Sequence, residues 1–279
     1  MQRILVVDDE RVTRELIEGL LVAEGFHVTT APDGLAAVAE VSRQPFDLVI
    51  VDVWMPRMPG LKLLAGLQAM GRMPRAIVMT SDETPEVVLK AIRANAHRFL
   101  RKPIDPAALL DQVKKVLARP ESLPIEVVSA TPEWVELVVP CTEEAADRIQ
   151  GFLNGLDTGL SGDQREALGQ AFRELLMNAI EWGGRFDPGQ RVRIAHLRTG
   201  RMLLYRIADP GAGFQLEGLE HAAVSNPADD PVRHSEVRQE KGMRAGGFGI
   251  LMAREFADDV VYNEARNEVV LIKYLDPPG

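Results

Sequence analysis

Five polar residues close strand-like apolar runs, and together their types suit the handling of a phosphoryl group. Ile4-Leu5-Val6-Val7 runs into Asp8 and Asp9, and Leu48-Val49-Ile50-Val51 runs into Asp52. Three carboxylates offer hard oxygen ligands to Mg²⁺, with a backbone carbonyl near Trp54 as a further donor. Ala76-Ile77-Val78-Met79 ends in Thr80, and Phe99-Leu100-Arg101 ends in Lys102, which adds a hydroxyl and an ammonium. In such a set Asp52 is the nucleophile that becomes an aspartyl phosphate, and Thr80 and Lys102 contact the phosphate oxygens. Taken singly, each residue is equally well explained as a solvated strand cap. Taken in order, they describe one site that receives a phosphoryl group and contains nothing to generate its donor.

The elements needed to bring them together are legible in the hydrophobic pattern. Strand-like runs near 3–7, 26–30, 47–52, 75–80 and 97–101 alternate with amphipathic stretches over 11–24, 33–43, 60–70, 84–95 and 106–118. Five such units predict an α/β fold with a doubly wound, five-stranded parallel sheet, in which ligands sit outside the carboxyl ends of the strands. Residues 1–118 resemble a response-regulator receiver domain. The resemblance rests on the Asp8-Asp9 pair, Asp52 with Met55-Pro56 behind it, Thr80 followed by Ser81, and Lys102-Pro103. It implies a flavodoxin-like fold, Mg²⁺ held by Asp8, Asp9 and Asp52, phosphorylation of Asp52 by a separate upstream histidine kinase, and an aromatic switch at Phe99. It also implies that Trp54 and Asp82, each two positions past a site residue, gate the water that hydrolyses the aspartyl phosphate.

The 279 residues, 46% of them hydrophobic, suffice for two ordinary cores. After Leu117, the polar stretch from Ala118 to Pro124 carries two prolines, so 119–124 reads as a linker between domains at 1–118 and 125–279. Residues 1–118 hold 15 acids and 15 Lys or Arg, against 26 and 17 in residues 119–279, so the net charge of −9 belongs to the second half. An acidic output region without a helix-turn-helix pattern argues against nucleic acid as a partner. No apolar stretch is long enough to span a membrane, and the first carboxylates arrive before a signal-peptide core could form. That predicts a cytoplasmic protein with no membrane partner. Cys141 is the only cysteine, which excludes an intramolecular disulfide and a Cys-based metal cluster.

The second half carries its own polar set. A helix opened by Ser161 and running to about Trp182 places Glu174 and Asn178 four apart on one face, where a carboxylate and a carboxamide can position a hydroxyl and hold a metal. Strand-like runs follow at 190–198 and 202–208, and the second ends in Asp209-Pro210-Gly211-Ala212-Gly213. Asp209 can accept a hydrogen bond from the exocyclic amine of adenine, while Gly211 and Gly213 let the backbone approach the base. Further on, Gly246-Gly247-Phe248-Gly249 opens another helix, whose N-terminal amides suit phosphate. Each motif alone has a plainer explanation: a solvated stripe, a turn, a hinge.

Their order and spacing resemble the ATP sites of the gyrase, chaperone, histidine-kinase and mismatch-repair ATPase superfamily over residues 125–275, which implies an α/β two-layer sandwich. Within it the chain is most similar to anti-sigma-factor serine kinases, with a leading strand hairpin, a preliminary helix near 142–157 and a closing strand pair near 259–275. This implies ATP as ligand, Mg²⁺ on Asn178, Glu174 as general base, adenine read by Asp209 with Gly211 and Gly213, and phosphates at Gly246, Gly247 and Gly249. Residues 215–245 would form a lid with Arg233, Lys241 and Arg244 as candidate phosphate contacts. Trp182 departs from the small or histidine-containing stretch that these kinases often carry there. His27, His97, His196, His221 and His234 all lie outside any long helical hairpin, which disfavours an atypical histidine kinase. The combined expectation is a response regulator whose Asp52 controls a serine/threonine kinase acting on an anti-sigma-factor antagonist, with a sigma-factor-like protein as the alternate client. The rival is a module that binds ATP without catalysis and sequesters its partner. Association as a homodimer is left open.

Overall fold

A computed structural model describes residues 1–82, 84–118, 123–131, 133–154, 158–215, 222–227, 230, 232–240 and 247–275. The chain divides into two compact units, Met1–Ser122 and Leu123–Gly279. In the first, β1 (Arg3–Val7), α1 (Arg11–Ala23), β2 (His27–Ala31), α2 (Gly34–Arg43), β3 (Leu48–Asp52), α3 (Gly60–Ala69), β4 (Arg75–Thr80), α4 (Pro85–Arg93), β5 (Arg98–Arg101) and α5 (Pro106–Ala118) follow one another. The strands pair in the order β2-β1-β3-β4-β5, every pair parallel. Ile4, Val6, Ile50 and Ile77 form a core with Ile17 and Leu21 of α1 and with Leu109 and Val113 of α5. Successive strand residues face opposite sides, and Leu5, Val7, Val49 and Val51 are fully buried as well. Helices on both faces therefore explain why β1, β3 and β4 read as unbroken apolar runs.

In the second unit, β6 (Glu126–Ala130), β7 (Trp134–Pro140), α6 (Glu143–Asn154) and α7 (Gly162–Asn178) lead into a π turn at Ala179–Gly183. Then come β8 (Arg191–Arg198), β9 (Met202–Ala208), a 3-10 turn at Ala223–Ser225, α8 (Arg233–Glu240), α9 (Gly249–Phe256), β10 (Asp259–Tyr262) and β11 (Glu268–Tyr274). The sheet is antiparallel throughout, in the order β10-β11-β9-β8-β7-β6. β7, β9 and β11 alternate buried with half-exposed residues, as expected of a sheet that packs one face on helices, here α6, α7 and α9. Phe172 of α7, Tyr205 of β9 and His196 of β8 stack in that layer, with ring centroids 5.3 and 4.9 Å apart. α7 begins with a capping box in which Ser161 Oγ accepts from the Gln164 N–H and Gln164 Oε1 accepts from the Ser161 N–H. That cap sets where the helix begins, and so the level at which Glu174 and Asn178 emerge. On the other helix, buried Arg148 donates to the Leu123 carbonyl at 3.1 Å and ties down the start of this unit. Among the described residues, no helix is long and apolar enough to cross a membrane.

Candidate functional site

In the first unit β1 and β3 are neighbours with Val7 opposite Val51, so the residues that follow them emerge side by side. Carboxylate oxygens of Asp8, Asp9 and Asp52 lie within 4.8 Å of one another. Asp8 and Asp52 are buried and Asp9 is exposed. Lys102 Nζ stands 2.8 Å from Asp8 Oδ2 and 2.7 Å from Asp52 Oδ2. Lys102 pairs with Asp8 and Asp52, and Asp9 adds a third carboxylate, so the cluster is rich in negative charge and its hard oxygens fit Mg²⁺. Burial raises the Asp52 carboxyl above the usual range, with Lys102 opposing and Asp8 reinforcing the shift. For Lys102, burial works to lower the ammonium, but Asp52 and Asp8 outweigh it and hold the proton on.

Supporting contacts fix this cluster. Arg14 of α1 donates to the carbonyls of Asp8 at 2.6 Å and Asp9 at 3.0 Å, and the Glu10 N–H donates to Asp8 Oδ1 at 2.9 Å. Arg14 was not singled out from sequence; its signal is a basic residue one turn into the helix that follows the acidic pair. Thr80 is fully buried at the end of β4, and its Oγ1 accepts from the Asp82 N–H at 3.0 Å. Phe99 is half-buried on β5, paired in register with Val78. The Trp54 N–H donates to Asp52 Oδ1 at 3.3 Å, and Trp54 is 54% exposed beside the carboxylate.

The second unit contains a cavity of ≈ 280 Å³ whose lining includes Asn178, Trp182, Asp209, Gly213, Arg238 and Gly247. Asn178 ends α7, and the chain then widens into the π turn, with the Gly184 N–H donating to the Ala179 carbonyl at 2.9 Å. The sequence pattern had predicted an unbroken helix to Trp182. The departure coincides with the Gly183-Gly184 pair: a Cβ on Gly183 would collide with the Asp209 carboxylate, and one on Gly184 with the Cys141 side chain. Asp209 is held in turn by two hydrogen bonds of its own, and a third ties its two partners together. Its Oδ1 accepts from the Gly211 N–H at 2.7 Å, its own N–H donates to the Asn267 carbonyl at 2.9 Å, and Asn267 Nδ2 donates to the Gly211 carbonyl at 2.9 Å. Burial raises the Asp209 carboxyl, partly offset by the Gly211 N–H.

Gly213 has φ +84°, and the Ala265 carbonyl occupies the place a Cβ would take, so glycine is required there on both counts. Gly249 opens α9 against α7, where a Cβ would lie 3.1 Å from both Asn178 Nδ2 and Glu174 Cβ. Asn178, Gly211, Gly213 and Gly247 thus line one cavity, while Glu174 stands one turn back on α7 beside Gly249. Gly246, Lys241, Arg244, His221 and linker residues 119–122 lie outside the described residues. Arg233 is exposed. Arg238, which nothing in the sequence singled out, is buried and lines the cavity.

Residues 4–114 match the family described as response regulator receiver domain. Over 201 residues the chain is 30% identical to the DNA-binding response regulator MtrA of Mycolicibacterium paratuberculosis (strain ATCC BAA-968 / K-10), covering 72% of this chain and 88% of that protein. The chain belongs to the response regulators. Residues 139–273 of this regulator match the family described as histidine kinase-like ATPase domain. The regulator is also 25% identical over 224 residues to the transcriptional regulatory protein PcoR of Escherichia coli, covering 78% of this chain and 98% of that one. Among solved structures, chemotaxis protein CheY4 of Vibrio cholerae is similar at 30% identity, with 42% of this chain and 99% of that chain covered and a TM-score of 0.41. A phosphorylatable receiver is therefore joined to an ATP-binding output, and the receiver implies an upstream kinase as phosphodonor.

Proposed function

We propose that this response regulator is a switched serine/threonine protein kinase of the anti-sigma-factor type, its receiver at 1–118 joined by residues 119–124 to a kinase at 125–279. In the receiver an Asp52 oxygen attacks the phosphorus of a phosphohistidine on the upstream kinase, the phosphorus–nitrogen bond breaks, and Lys102 and Thr80 meet the transferred oxygens. Asp8, Asp9 and Asp52 would hold Mg²⁺, which supplies charge that neutralises phosphate oxygens. In the output, Asp209 reads adenine, Asn178 holds the metal of the nucleotide, Gly247 and Gly249 admit phosphates, and Glu174 takes the proton of a substrate hydroxyl. The observation that carries this reading is the convergence of Asn178, Asp209, Gly211, Gly213 and Gly247, drawn from three separate segments, on one cavity.

The client is a serine or threonine on a small anti-sigma-factor antagonist, with a sigma-factor-like protein as the alternate partner. MtrA is described as DNA-binding. Here the output region matches an ATPase family and holds 26 acids against 17 bases in residues 119–279, which supports a protein client over nucleic acid. A second reading, an ATP-holding module that sequesters its partner without catalysis, draws support from Glu174 standing outside the cavity lining. The deciding experiment supplies labelled ATP, Mg²⁺ and candidate antagonists to the full chain. Label on a client serine or threonine that is lost in Glu174→Ala supports the kinase; nucleotide binding without any transfer supports sequestration.

A further inference from the structure

We propose that Arg57 is a positioning residue for phosphoryl uptake at Asp52: paired with Asp33, it holds the β3–α3 connection against α2 and so sets the Mg²⁺ affinity of the site and the lifetime of its aspartyl phosphate. The proposal rests on the reading of Asp52 as phosphoacceptor. Residues 53–59 leave the sheet directly after Asp52, and the Trp54 N–H donates to Asp52 Oδ1 at 3.3 Å. A shift of this segment therefore disturbs a hydrogen bond on the nucleophile and the backbone near Trp54, where a further metal donor is expected. Groups that orient a metal's ligands tune its affinity much as the ligands do. At its base the segment is closed on itself, since the Gly60 N–H donates to the Val53 carbonyl at 3.0 Å and a Cβ on Gly60 would collide with the Asp52 carbonyl. Farther out it is held by α2.

The residue that makes this contact sits in an unfavourable backbone conformation. Arg57 has φ +64°, in the left-handed region where glycine is the default, yet the chain places arginine there. Its guanidinium pairs with Asp33 Oδ2. The Arg57 side chain is 64% exposed and that of Asp33 only 1%, so the arginine reaches in from solvent to a carboxylate fixed in the protein. Asp33 caps α2, its Oδ1 accepting from the Ala36 N–H at 2.9 Å, which leaves Oδ2 to Arg57. A buried carboxylate deprived of its cation is costly, so the pair has a reason to stay closed. Beside it Met58 packs on the first residue of α2: a Cβ on Gly34 would lie 2.7 Å from Met58 Cγ and 2.9 Å from the Met58 carbonyl oxygen. The β2–α2 connection also touches the acidic cluster, because the Asp8 N–H donates at 3.3 Å to the carbonyl of Ala31, which ends β2 just ahead of Asp33. Asp33 is thus a fixed post beside the site, and Arg57 ties the segment that follows Asp52 to it.

The test uses the full-length chain without nucleotide, as wild type, Arg57→Asn, Arg57→Lys, Asp33→Asn and the double variant Arg57→Asn with Asp33→Asn. Asparagine tolerates the left-handed conformation without glycine's flexibility, and at Asp33 it keeps an oxygen to cap α2 while removing the charge. Mg²⁺ is titrated calorimetrically, the lifetime of the aspartyl phosphate is followed after labelling with acetyl phosphate, and thermal unfolding is recorded for each variant. Arg57→Asn is expected to weaken Mg²⁺ and to shorten the lifetime by about two- to five-fold each, the size of a largely exposed ion pair. Asp33→Asn does the same, Arg57→Lys keeps most of both, and the double variant is no worse than either single one, because the two residues act as a unit. Lower thermal stability with unchanged Mg²⁺ affinity and lifetime would make the pair a structural tie alone and overturn the proposal. So would an Arg57→Lys as impaired as Arg57→Asn, or additive losses in the double variant. A wild type that takes no label and binds no Mg²⁺ overturns the reading of the Asp52 site itself, and this proposal with it.

Discussion

Asp52 and Lys102, fifty residues apart in sequence, meet at 2.7 Å because β3 pairs with β4 and β4 with β5, all parallel, so their carboxyl ends share one edge. The same ammonium lies 2.8 Å from Asp8. On the proposed reading, an aspartyl phosphate formed on Asp52 would bring its oxygens within reach of that ammonium.

Acetyl phosphate or beryllofluoride with Mg²⁺ is expected to modify or occupy Asp52 in the wild type and to do neither in Asp52→Asn, read by intact mass or fluorine NMR. Asp9 is exposed, so Asp9→Asn should weaken Mg²⁺ binding while leaving the thermal unfolding of the receiver within about 0.5 kcal/mol of wild type. Label surviving in Asp52→Asn would show that another residue is the acceptor.

Trp54 follows Asp52 by two positions, its backbone N–H donates to Asp52 Oδ1 at 3.3 Å, and 54% of the residue is exposed. A bulky ring there obstructs an in-line water. Trp54→Asn should therefore shorten the lifetime of the aspartyl phosphate several-fold, measured by loss of label after the donor is removed; an unchanged or longer lifetime contradicts this.

Gly183 packs on Asp209 so closely that a Cβ would overlap the carboxylate. Gly183→Ala should push Asp209 out of position and weaken adenosine and ATP alike by about ten-fold or more, the cost of one misplaced charged hydrogen bond. Calorimetry with adenosine and with ATP checks this, and an unchanged affinity for both would contradict it.

Much of this was readable in the chain because the receiver's strands are buried on both faces, so apolar runs mark them and the first polar residue after each run marks the site. Asp8, Asp52 and Thr80 sit where such a run ends, and Lys102 follows Arg101 just past β5. In the output unit Ser161 marked the start of α7, and the 202–208 run coincides with β9. Arg238 was invisible for a physical reason: α8 is polar on every face, so periodicity cannot say which residue turns inward. The π turn was equally hidden, since it depends on how Gly183 and Gly184 meet Asp209 and Cys141, residues distant in sequence. Arg14 escaped because its bonds run to backbone carbonyls, so its place one turn into α1 is the single mark it leaves in the sequence.

His196 is 3% exposed, and neither ring nitrogen has a hydrogen-bond partner among the described residues. Burial, with Arg198 adding to it, lowers its pKa from 6.5 to about 4. The unfolded chain therefore takes up a proton below pH 6.5 that the folded one refuses, so this contribution to stability is intact above pH 6.5 and lost as pH falls toward about 4. The loss is at most roughly 3 kcal/mol. His196→Phe should flatten the urea midpoint of the second unit across that window relative to wild type; an identical slope in both would contradict the buried neutral imidazole.

Control of the output by Asp52 is tested most directly by ATP-dependent phosphorylation of a small antagonist protein by the full-length chain, with and without beryllofluoride, in the wild type and in Thr80→Ala. Thr80 lies buried at the end of β4, and β4 pairs with the strand that carries Phe99, so charge at Asp52 can reach the Phe99 surface through it. The account predicts that beryllofluoride changes the phosphorylation rate or the client affinity of the wild type and that Thr80→Ala loses most of that response. A wild type whose rate and client affinity are both indifferent to beryllofluoride would contradict it.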